Sequence, residues 1–350
     1  MKKLLASLFV LILTVTLAAC GDSSSKEGDK STEKKSSDKF VIVWYPNESG
    51  KDLKGARDAI GKVFEDATGK KVEHKLTTDY AIAIETIANG KANAAFMGAE
   101  GYIQAREKSE NVEPLVVPSG PSGTKDDALY YSWFAVTPEN MDTYKTGEGK
   151  YSLDKFEGKK MSFVSPSSTS GFKVPSSILV KHFSENEKYK DLKADDLTEG
   201  GGLFKEVLFG DSHQGSAVNL IAGRADVAAF CDTCVSNYVE LKSGDENKAG
   251  AVYKIKEGAE APFTQYAGKE FGILSSTPVL NAPFVVNKET LSDEEIEKIK
   301  KELTSDKISN DKTIFLPEDS EESGLFKKTD KEKFVEVDDK WFDEIRNLGK

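Results

Sequence analysis

Short apolar runs alternate with amphipathic stretches along most of the chain. The run FVIVWY at 40–45 is typical of a buried strand, and KVEHKL at 71–76 alternates apolar and polar residues as a half-buried strand does. Between these two runs, apolar residues of 51–69 recur at helical spacing, and Gly69 predicts the end of that helix. Strand and helix alternate in this way through two successive series. This order predicts an α/β fold with helices on both faces of its sheets.

The same reading assigns the rest of the chain. The other predicted helices cover residues 80–88, 100–108, 171–183, 214–222, 233–241, 293–303 and 340–348. The other predicted strands cover residues 93–98, 112–120, 129–137, 159–165, 206–210, 226–230, 271–276 and 283–287. The strands LYYSWFAVT and PFVVN are candidates for the crossovers that join the two series. We therefore expect two lobes, the first made of residues 40–132 and 284–350 and the second of residues 133–283.

The beginning of the chain predicts export. Two lysines precede an apolar run at 4–17, which is too short to span a bilayer comfortably and ends in small residues just before Cys20. This pattern resembles a bacterial lipobox, where cleavage precedes a cysteine that then receives lipid; an ordinary signal peptide with an incidental cysteine is the alternative. The polar stretch that follows cannot bury enough apolar surface to fold. We expect a signal peptide at 1–19, a lipidated Cys20 with a disordered linker at 20–39, and a body held at the outer face of a bacterial cell membrane.

Charge and cysteine content narrow the function classes. The 350 residues carry a formal net charge of −11, with both signs interspersed, which argues against binding nucleic acid or anionic membranes. Beyond Cys20 only Cys231 and Cys234 remain, in the sequence CDTC. A disulfide loop, a redox pair and half of a zinc site are all open. The three histidines have no familiar metal-site spacing, so we favour two thiols or a local disulfide at a strand end.

Four consecutive hydroxyl residues mark a candidate binding site. In VSPSSTSGF at 164–172, residues 167–170 all carry hydroxyls and Gly171 follows, between a predicted parallel strand and a predicted helix. The first N–H groups of a helix lack intrahelical partners and favour anions, and a glycine lets a ligand approach the backbone. A plain helix cap would need only one hydroxyl. The cluster therefore favours an anion site without a fixed positive charge, at the sheet edge where open α/β folds bind ligands.

Several aromatic residues fall where a cleft would place them. They are Trp44, Tyr45, Tyr80, Tyr102, Tyr130 and Tyr131, at strand ends or helix starts. Most of them suit a core equally well, so we expect only two or three to touch a ligand, with Tyr45 among the candidates. His213 begins a helix, and by pattern alone it is equally a polar cap or a ligand contact.

Six segments together resemble the phosphate/phosphite/phosphonate group of solute-binding proteins of ABC importers. They are PSSTSG followed by Pro175, WYPNESG, TDYAIAIETIANGKANAAFMGAEGYIQA, YYSWFAVT, GDSHQGSAVNLIAGRADVAAFCDT and SSTPVLNAPFVVN. They occur in the family's order and cover most of residues 40–303. The resemblance implies a two-lobed type II periplasmic-binding-protein fold with the ligand in a cleft between the lobes.

The resemblance also implies roles for individual residues. Ser168, Thr169 and Ser170 would hold an anionic head through hydroxyls and backbone N–H groups, and His213 would reach the same oxygens. Tyr80 and Tyr102 would line the cleft from the first lobe, and Asp232 would receive a ligand ammonium where there is one. The chain departs from the family at Asn93, where an acid is usual, and at Phe172-Lys173 and CDTC.

We expect a binding protein that captures a small anionic or zwitterionic solute by cleft closure and delivers it to an ABC permease. A phosphonate, phosphite or phosphate is the first choice, and an aromatic amino acid such as tyrosine is the second. A surface adhesin is an alternative of another class. We expect no enzyme: a triad of Ser168, His213 and Asp232 can be drawn, but the anion cradle explains the same residues. We further expect a monomer that needs no cofactor and binds no nucleic acid.

Overall fold

A computed structural model gives the structure of residues 38–349. The strands are β1 Lys39–Trp44, β2 Lys71–Leu76, β3 Ala94–Phe96, β4 Val112–Pro118, β5 Leu129–Val136, β6 Lys145–Gly147, β7 Lys150–Tyr151, β8 Lys160–Phe163, β9 Glu206–Phe209, β10 Val227–Cys231, β11 Val239–Ser243, β12 Val252–Ile255, β13 Glu270–Leu280, β14 Phe284–Asn287, β15 Phe315–Pro317, β16 Phe326–Lys328 and β17 Phe334–Glu336. The α-helices are α1 Lys54–Thr68, α2 Tyr80–Ala88, α3 Ala99–Lys108, α4 Met141–Tyr144, α5 Val174–Phe183, α6 His213–Ile221, α7 Asp232–Val235, α8 Asp293–Leu303, α9 Asp306–Ser309 and α10 Asp343–Arg346.

A six-stranded sheet in the order β17-β4-β14-β3-β1-β2 forms the centre of what we call the first lobe. Strand β1 pairs in parallel with β2 and β3, whereas β14 and β17 run antiparallel to their neighbours. Helix α1 buries one face against this sheet, where Phe64 contacts Phe40 and Phe284. It ends as the sequence predicts, with Gly69 in the left-handed conformation at φ 71°.

A seven-stranded sheet in the order β11-β12-β13-β5-β10-β8-β9 forms the centre of the second lobe. Strands β5 and β13 pair antiparallel through its middle, and Trp133, Phe230 and Phe271 pack together on one face. Strand β8 runs parallel to β9 and β10, as predicted for the strand before the hydroxyl cluster. The carboxyl end of β8 thus carries that cluster to the edge that faces the first lobe.

The chain changes sheet twice. It enters the second sheet between Pro118 and Leu129 and returns to the first between Leu280 and Phe284. All of β5 lies in the second sheet, although the sequence assigned its first four residues to the first lobe. The exact lobe boundaries of the sequence analysis stay a prediction.

The structure differs from the predicted elements in several places, and the short elements β6, β7, β12, β17, α4 and α9 were not predicted either. The predicted helix at 233–241 is wrong beyond Val235, because residues from Val239 pair with β12 as an edge strand. The predicted linker ends earlier than residue 39, since Lys39 already pairs with Lys71. The two short strands β15 and β16 were not predicted, because each has only three residues.

The predicted signal peptide and Cys20 lie outside the described residues. Within residues 38–349, none of the helices combines the length and the apolar character that a bilayer crossing requires.

Candidate functional site

A cavity of about 110 Å³ lies between the two lobes. Polar side chains of both lobes face it. From the first lobe these are Tyr45, Asn47, Glu48 and Tyr80, and from the second lobe they are Tyr130, Ser168, Thr169, Ser170, His213 and Gln214. No lysine or arginine is found among the described residues that line it.

The hydroxyl cluster forms one wall of this cavity. Ser168 caps the helix start by accepting a hydrogen bond from Gly171 N at 3.1 Å, and a π-helical turn, Thr169–Lys173, leads into α5. The side chains of Ser168, Thr169 and Ser170 are buried, with 1 to 2% exposed. Because the turn begins a helix of fifteen residues in all, its first backbone N–H groups lack intrahelical partners and add to the hydroxyl donors.

Gly171 serves the packing of the turn. A Cβ added there would lie 2.3 Å from Val164 Cγ2 and 2.7 Å from the Ser168 hydroxyl oxygen. The sequence analysis expected this glycine to admit a ligand to the backbone, but the space it leaves is filled by the protein itself.

His213 presents an uncharged donor to the same wall. It is the first residue of α6 and is buried, and its Nδ1 accepts a hydrogen bond from Cys231 N at 2.9 Å. Since Nδ1 must therefore be unprotonated, the proton of the neutral ring resides on Nε2, which lies 3.4 Å from Ser168 Oγ. Burial lowers the pKa of His213 to about 3. The histidine thus adds one N–H donor beside the hydroxyl turn without adding charge.

The loop after β1 supplies the opposite wall. Asn47 Nδ2 donates to the Tyr80 hydroxyl at 2.7 Å, and Asn47 Oδ1 accepts from His213 N at 3.1 Å. The rings of Tyr45 and Tyr80 pack with centroids 4.0 Å apart. Gly101 makes room for this arrangement, because a Cβ there would lie 1.7 Å from the Tyr45 hydroxyl.

Direct hydrogen bonds between the lobes close the cleft. Near the hydroxyl turn, Glu100 N donates to Thr169 Oγ1 at 2.9 Å and Ser167 Oγ donates to Gln104 at 2.7 Å. A Cβ at Gly98 would lie 2.8 Å from that Thr169 oxygen, so glycine permits the approach.

The other side of the cleft is closed in the same way. Gln214 Nε2 donates to Asn47 O at 3.1 Å, and the Tyr238 hydroxyl donates to Asp52 at 2.8 Å. The structure is therefore that of the closed form, with hydrogen bonds donated from each lobe to the other.

Four buried polar atoms of the cavity wall lack a hydrogen-bond partner. They are Tyr45 Oη, Glu48 Oε2, Ser170 Oγ and Gln214 Oε1. A buried polar atom without a partner costs about 1–3 kcal/mol, so a cluster of them around one cavity is typical of a ligand site. Burial raises the pKa of Glu48 to about 8, although Asn47 and the Arg57 guanidinium act in the opposite direction.

Two predicted ligand residues lie elsewhere. The Tyr102 hydroxyl donates to Asp339 at 2.7 Å and its ring packs on Phe342, because α3 turns this face toward α10 and the helical turn before it. Asp232 accepts from Tyr131 N at 2.8 Å as the first residue of α7, and burial raises its pKa to about 7. Neither residue is part of the cavity lining. The other six, Tyr45, Tyr80, Ser168, Thr169, Ser170 and His213, do line it.

The sequence analysis gave no role to six polar residues that line the cavity, which are Asn47, Glu48, Gln214, Thr233, Asn237 and Asn281. Asn47 and Glu48 stand in WYPNESG, a segment that was used only as a mark of resemblance, and Gln214 follows the predicted His213. A usable signal was present, since an acid in a loop directly after a buried strand lies at the sheet edge where ligands bind.

The CDTC segment forms a local disulfide next to this site. Cys231 and Cys234 are bonded at the start of α7, and Cys234 O accepts from Gln214 Nε2 at 2.9 Å. Their sulfur atoms and a ring nitrogen of His213 lie within 4.8 Å of one another, but the bonded cysteines offer no thiolate to a metal. Asn93, the departure from the family acid, accepts from Val41 N at 2.7 Å and holds β1 in place.

Known proteins resemble this chain in sequence and in fold. A family model for the periplasmic substrate-binding protein of a phosphonate ABC transporter matches residues 42–342. The phosphate-import protein PhnD of Mycolicibacterium smegmatis is 27% identical over 231 residues, a match that spans 66% of this chain and 66% of that relative, just under two thirds of its length.

Two solved structures share the fold. A binding-protein component of an ABC phosphonate transporter from Pseudomonas aeruginosa matches with a TM-score of 0.62 at 18% identity, over 89% of this chain and 85% of that one. PhnD1 from Prochlorococcus marinus, solved in complex with methylphosphonate, matches with a TM-score of 0.61 at 14% identity, over 89% and 97%. These matches confirm the predicted two-lobed α/β fold.

Proposed function

Because the chain belongs to the family of phosphonate-binding periplasmic proteins of ABC transporters, we propose that it captures a small phosphonate-type anion outside the cytoplasm and passes it to a membrane permease. The observation that carries this proposal is the set of neutral donors that meet at one cavity between the lobes, namely the hydroxyls of Ser168–Ser170 and Nε2 of His213. Oxygens of a phosphonate accept several such hydrogen bonds at once, and hydrogen bonds to a charged group are the strong ones.

Capture proceeds by closure. The hydroxyl turn of the second lobe holds the anion first, and the loop after β1 then meets the ligand from the other side. A ligand that contacts both walls stabilises the closed form selectively, because only that form brings both walls together. The permease then recognises the closed protein.

Neither alternative of the sequence analysis is favoured. The family is one of transport proteins that bind phosphonates, which speaks for neither a tyrosine importer nor an adhesin. The family is also one of binding proteins rather than enzymes. The buried His213, with its pKa near 3, is a poor general base at neutral pH, so a Ser168–His213 pair does not favour hydrolysis.

We also propose that lipid on Cys20, which lies outside the described residues, anchors the protein to the membrane. We further propose that the protein works as a monomer. Support comes from the lipobox resemblance in the sequence. Cys20→Ser is expected to release the protein into the culture medium; a variant that stays with the membrane fraction contradicts the anchor.

The head-group site is tested by a double substitution. Ser168→Ala with Thr169→Ala removes two hydroxyls that donate to the anion, so affinity for the phosphonate that binds tightest is expected to fall by about 3–6 kcal/mol, or at least about 150-fold. Calorimetric titration with methylphosphonate, ethylphosphonate, 2-aminoethylphosphonate, phosphite, phosphate and tyrosine measures this.

The exposed Ser243→Ala variant is the control, and it is expected to bind like the wild type. Unchanged affinity in the double variant, or binding of tyrosine alone, overturns the proposed function.

A further inference from the structure

The disulfide loop, Cys231–Cys234, contacts the two residues that begin α6. The backbone N–H of Cys231 donates to Nδ1 of His213 at 2.9 Å. The backbone oxygen of Cys234 accepts from Nε2 of Gln214 at 2.9 Å. Both α6 residues line the cavity, and Gln214 also donates across the cleft to Asn47 O at 3.1 Å. The geometry of this part of the site therefore depends on where the disulfide loop holds its backbone.

The first half of the disulfide loop is fixed by the sheet. Cys231 ends β10, pairs there with Ser132 of β5 and is fully buried. Asp232 accepts a hydrogen bond from Tyr131 N of the same strand at 2.8 Å. Neither contact involves a sulfur atom, so both are expected to persist whether the cysteines are bonded or not.

The second half of the loop depends on the disulfide. Helix α7 has only four residues, and so short a helix is unstable by itself. The disulfide ties Cys234 to Cys231, and Cys234 N donates to Cys231 Sγ at 3.3 Å. Sulfur atoms without a bond cannot stay at a covalent distance, so reduction moves them apart. Because Cys231 is buried and fixed, the movement falls on Cys234, which lines the cavity and holds Gln214.

We propose that the disulfide loop is a redox-sensitive positioning element, whose bonded form holds Gln214 in place for tight ligand binding and whose reduction weakens that binding. This inference rests on the proposed function and adds a means of regulation to its site. It applies to whichever anion the cavity takes.

The reductant is a small dithiol. One of its thiolates attacks a sulfur atom of the disulfide, and its second thiolate then displaces the mixed disulfide. The bond between Cys231 and Cys234 breaks, their sulfur atoms take up two electrons and two protons, and the dithiol closes to its own disulfide. Cys234 is the point of attack, because it is half-buried at the cavity whereas Cys231 is fully buried.

Ligand binding and reduction must influence each other equally. If reduction weakens ligand binding by a given factor, the ligand makes reduction less favourable by the same factor. A tenfold factor corresponds to about 30 mV for a two-electron couple. A loaded protein is therefore expected to keep its disulfide under conditions that reduce the empty one.

The experiment compares the oxidised full-length protein with the same protein reduced by dithiothreitol. The probe is the tightest binder among methylphosphonate, ethylphosphonate, phosphite and phosphate. Calorimetric titration is expected to show about tenfold weaker binding after reduction, the effect of about one hydrogen bond. Redox titration against ratios of reduced to oxidised dithiothreitol is expected to show that saturating ligand lowers the reduction potential by the matching amount, about 30 mV.

Two variants isolate the role of the disulfide loop. Cys231→Ser with Cys234→Ser is expected to bind as weakly as the reduced wild type, and dithiothreitol is expected to leave it unchanged. Because this double variant keeps Cys20, it also controls for that thiol. Gln214→Met cannot donate to Cys234 O, so reduction is expected to change its affinity by less than about threefold.

The outcomes separate this inference from the proposed function. Equal affinity of the oxidised and reduced wild type, or a reduction potential that ligand does not shift, overturns the inference and leaves the proposed function intact. Loss of far-ultraviolet circular dichroism on reduction also overturns it, because the disulfide then serves folding alone. A loss of affinity as large in Gln214→Met as in the wild type overturns it as well. Failure of the oxidised protein to bind any of the four anions overturns the proposed function itself.

Discussion

The two walls of the cavity are built in different ways. The wall of the second lobe comes from one turn and one helix start, where short side chains and backbone N–H groups point the same way. The wall of the first lobe comes from a loop and a helix, and it offers aromatic rings, an amide and a carboxylate. Under the proposed function, the second lobe supplies most of the donors for an anionic head, and the first lobe offers aromatic rings and Glu48 to the rest of a ligand. The comparison leads us to propose that head-group binding depends mainly on the second lobe, and that the first lobe contributes more to the choice among ligands.

Among single substitutions, the largest effect is expected from removing the His213 donor of the second-lobe wall. His213→Ala removes the Nε2–H donor and leaves Cys231 N without its acceptor, so affinity for the phosphonate that binds tightest is expected to fall by about 1.5–3 kcal/mol, or about 10- to 150-fold. Tyr80→Phe removes one neutral hydroxyl from the opposite wall, and a loss of only about 0.5–1.5 kcal/mol is expected. Calorimetry on both variants checks the difference, and a loss for Tyr80→Phe as large as for His213→Ala refutes the division between the walls.

A smaller effect is expected from weakening the contact between the lobes away from the cavity. Tyr238→Phe removes the hydrogen bond to Asp52, so the closed form loses about 0.5–1.5 kcal/mol and ligand affinity falls by up to about tenfold. Small-angle scattering with and without ligand is expected to show that the variant needs more ligand to close. Tyr266→Phe, which changes a half-buried tyrosine of the second lobe, is the control; an equal effect there would mean that closure does not depend on the Tyr238 bond.

The stability of the empty protein is also expected to vary with pH. Burial lowers the pKa of His213 to about 3, whereas a histidine of the unfolded chain titrates near about 6.5. As the pH falls below about 6.5, the unfolded chain therefore binds a proton that the folded protein does not bind, and the folded protein loses stability. Burial raises the pKa of Glu48 to about 8, whereas a glutamate of the unfolded chain titrates near about 4.3. Between these pH values the folded protein keeps a proton that the unfolded chain has lost, so the free energy of unfolding decreases as the pH rises from about 4.3 to 8.

Thermal melting of the empty protein measures both slopes. Relative to the wild type, Glu48→Gln is expected to be more stable at pH 8 than at pH 5, and His213→Gln is expected to be more stable at pH 4 than at pH 7. Parallel melting curves for the wild type and both variants would contradict the assigned charge states.

The contrast between the walls also explains what the sequence could predict. The hydroxyl turn is contiguous, and Ser168, Thr169 and Ser170 were predicted from local pattern and from the resemblance. Tyr102 was misplaced because helical position alone does not say which face turns toward α10, where Asp339 accepts its hydrogen bond. Glu48 was missed because its role depends on burial between the lobes, and burial is a tertiary property.

The helices and strands were likewise predicted well where the pattern is local and poorly where tertiary contacts decide the structure. Long periodic stretches such as α1 and α8 were predicted closely, because many apolar residues at helical spacing mark the same buried face. The stretch 233–241 was predicted as one helix, but pairing with β12 overrides local preference from Val239. The CDTC disulfide was one of several options, and only the three-dimensional structure places it against His213.

No lysine or arginine lies among the described residues that line the cavity, and this determines how ligand binding is expected to depend on salt concentration. Mobile ions screen exposed charges over about 8–10 Å, but they act little on neutral donors inside a closed cavity. The affinity of the Ser168–Ser170 turn for an anion is therefore expected to change little with ionic strength. The net charge of −11 repels an approaching anion from a distance, and salt weakens that repulsion. In saltier surroundings the protein would load faster while holding its ligand about as tightly.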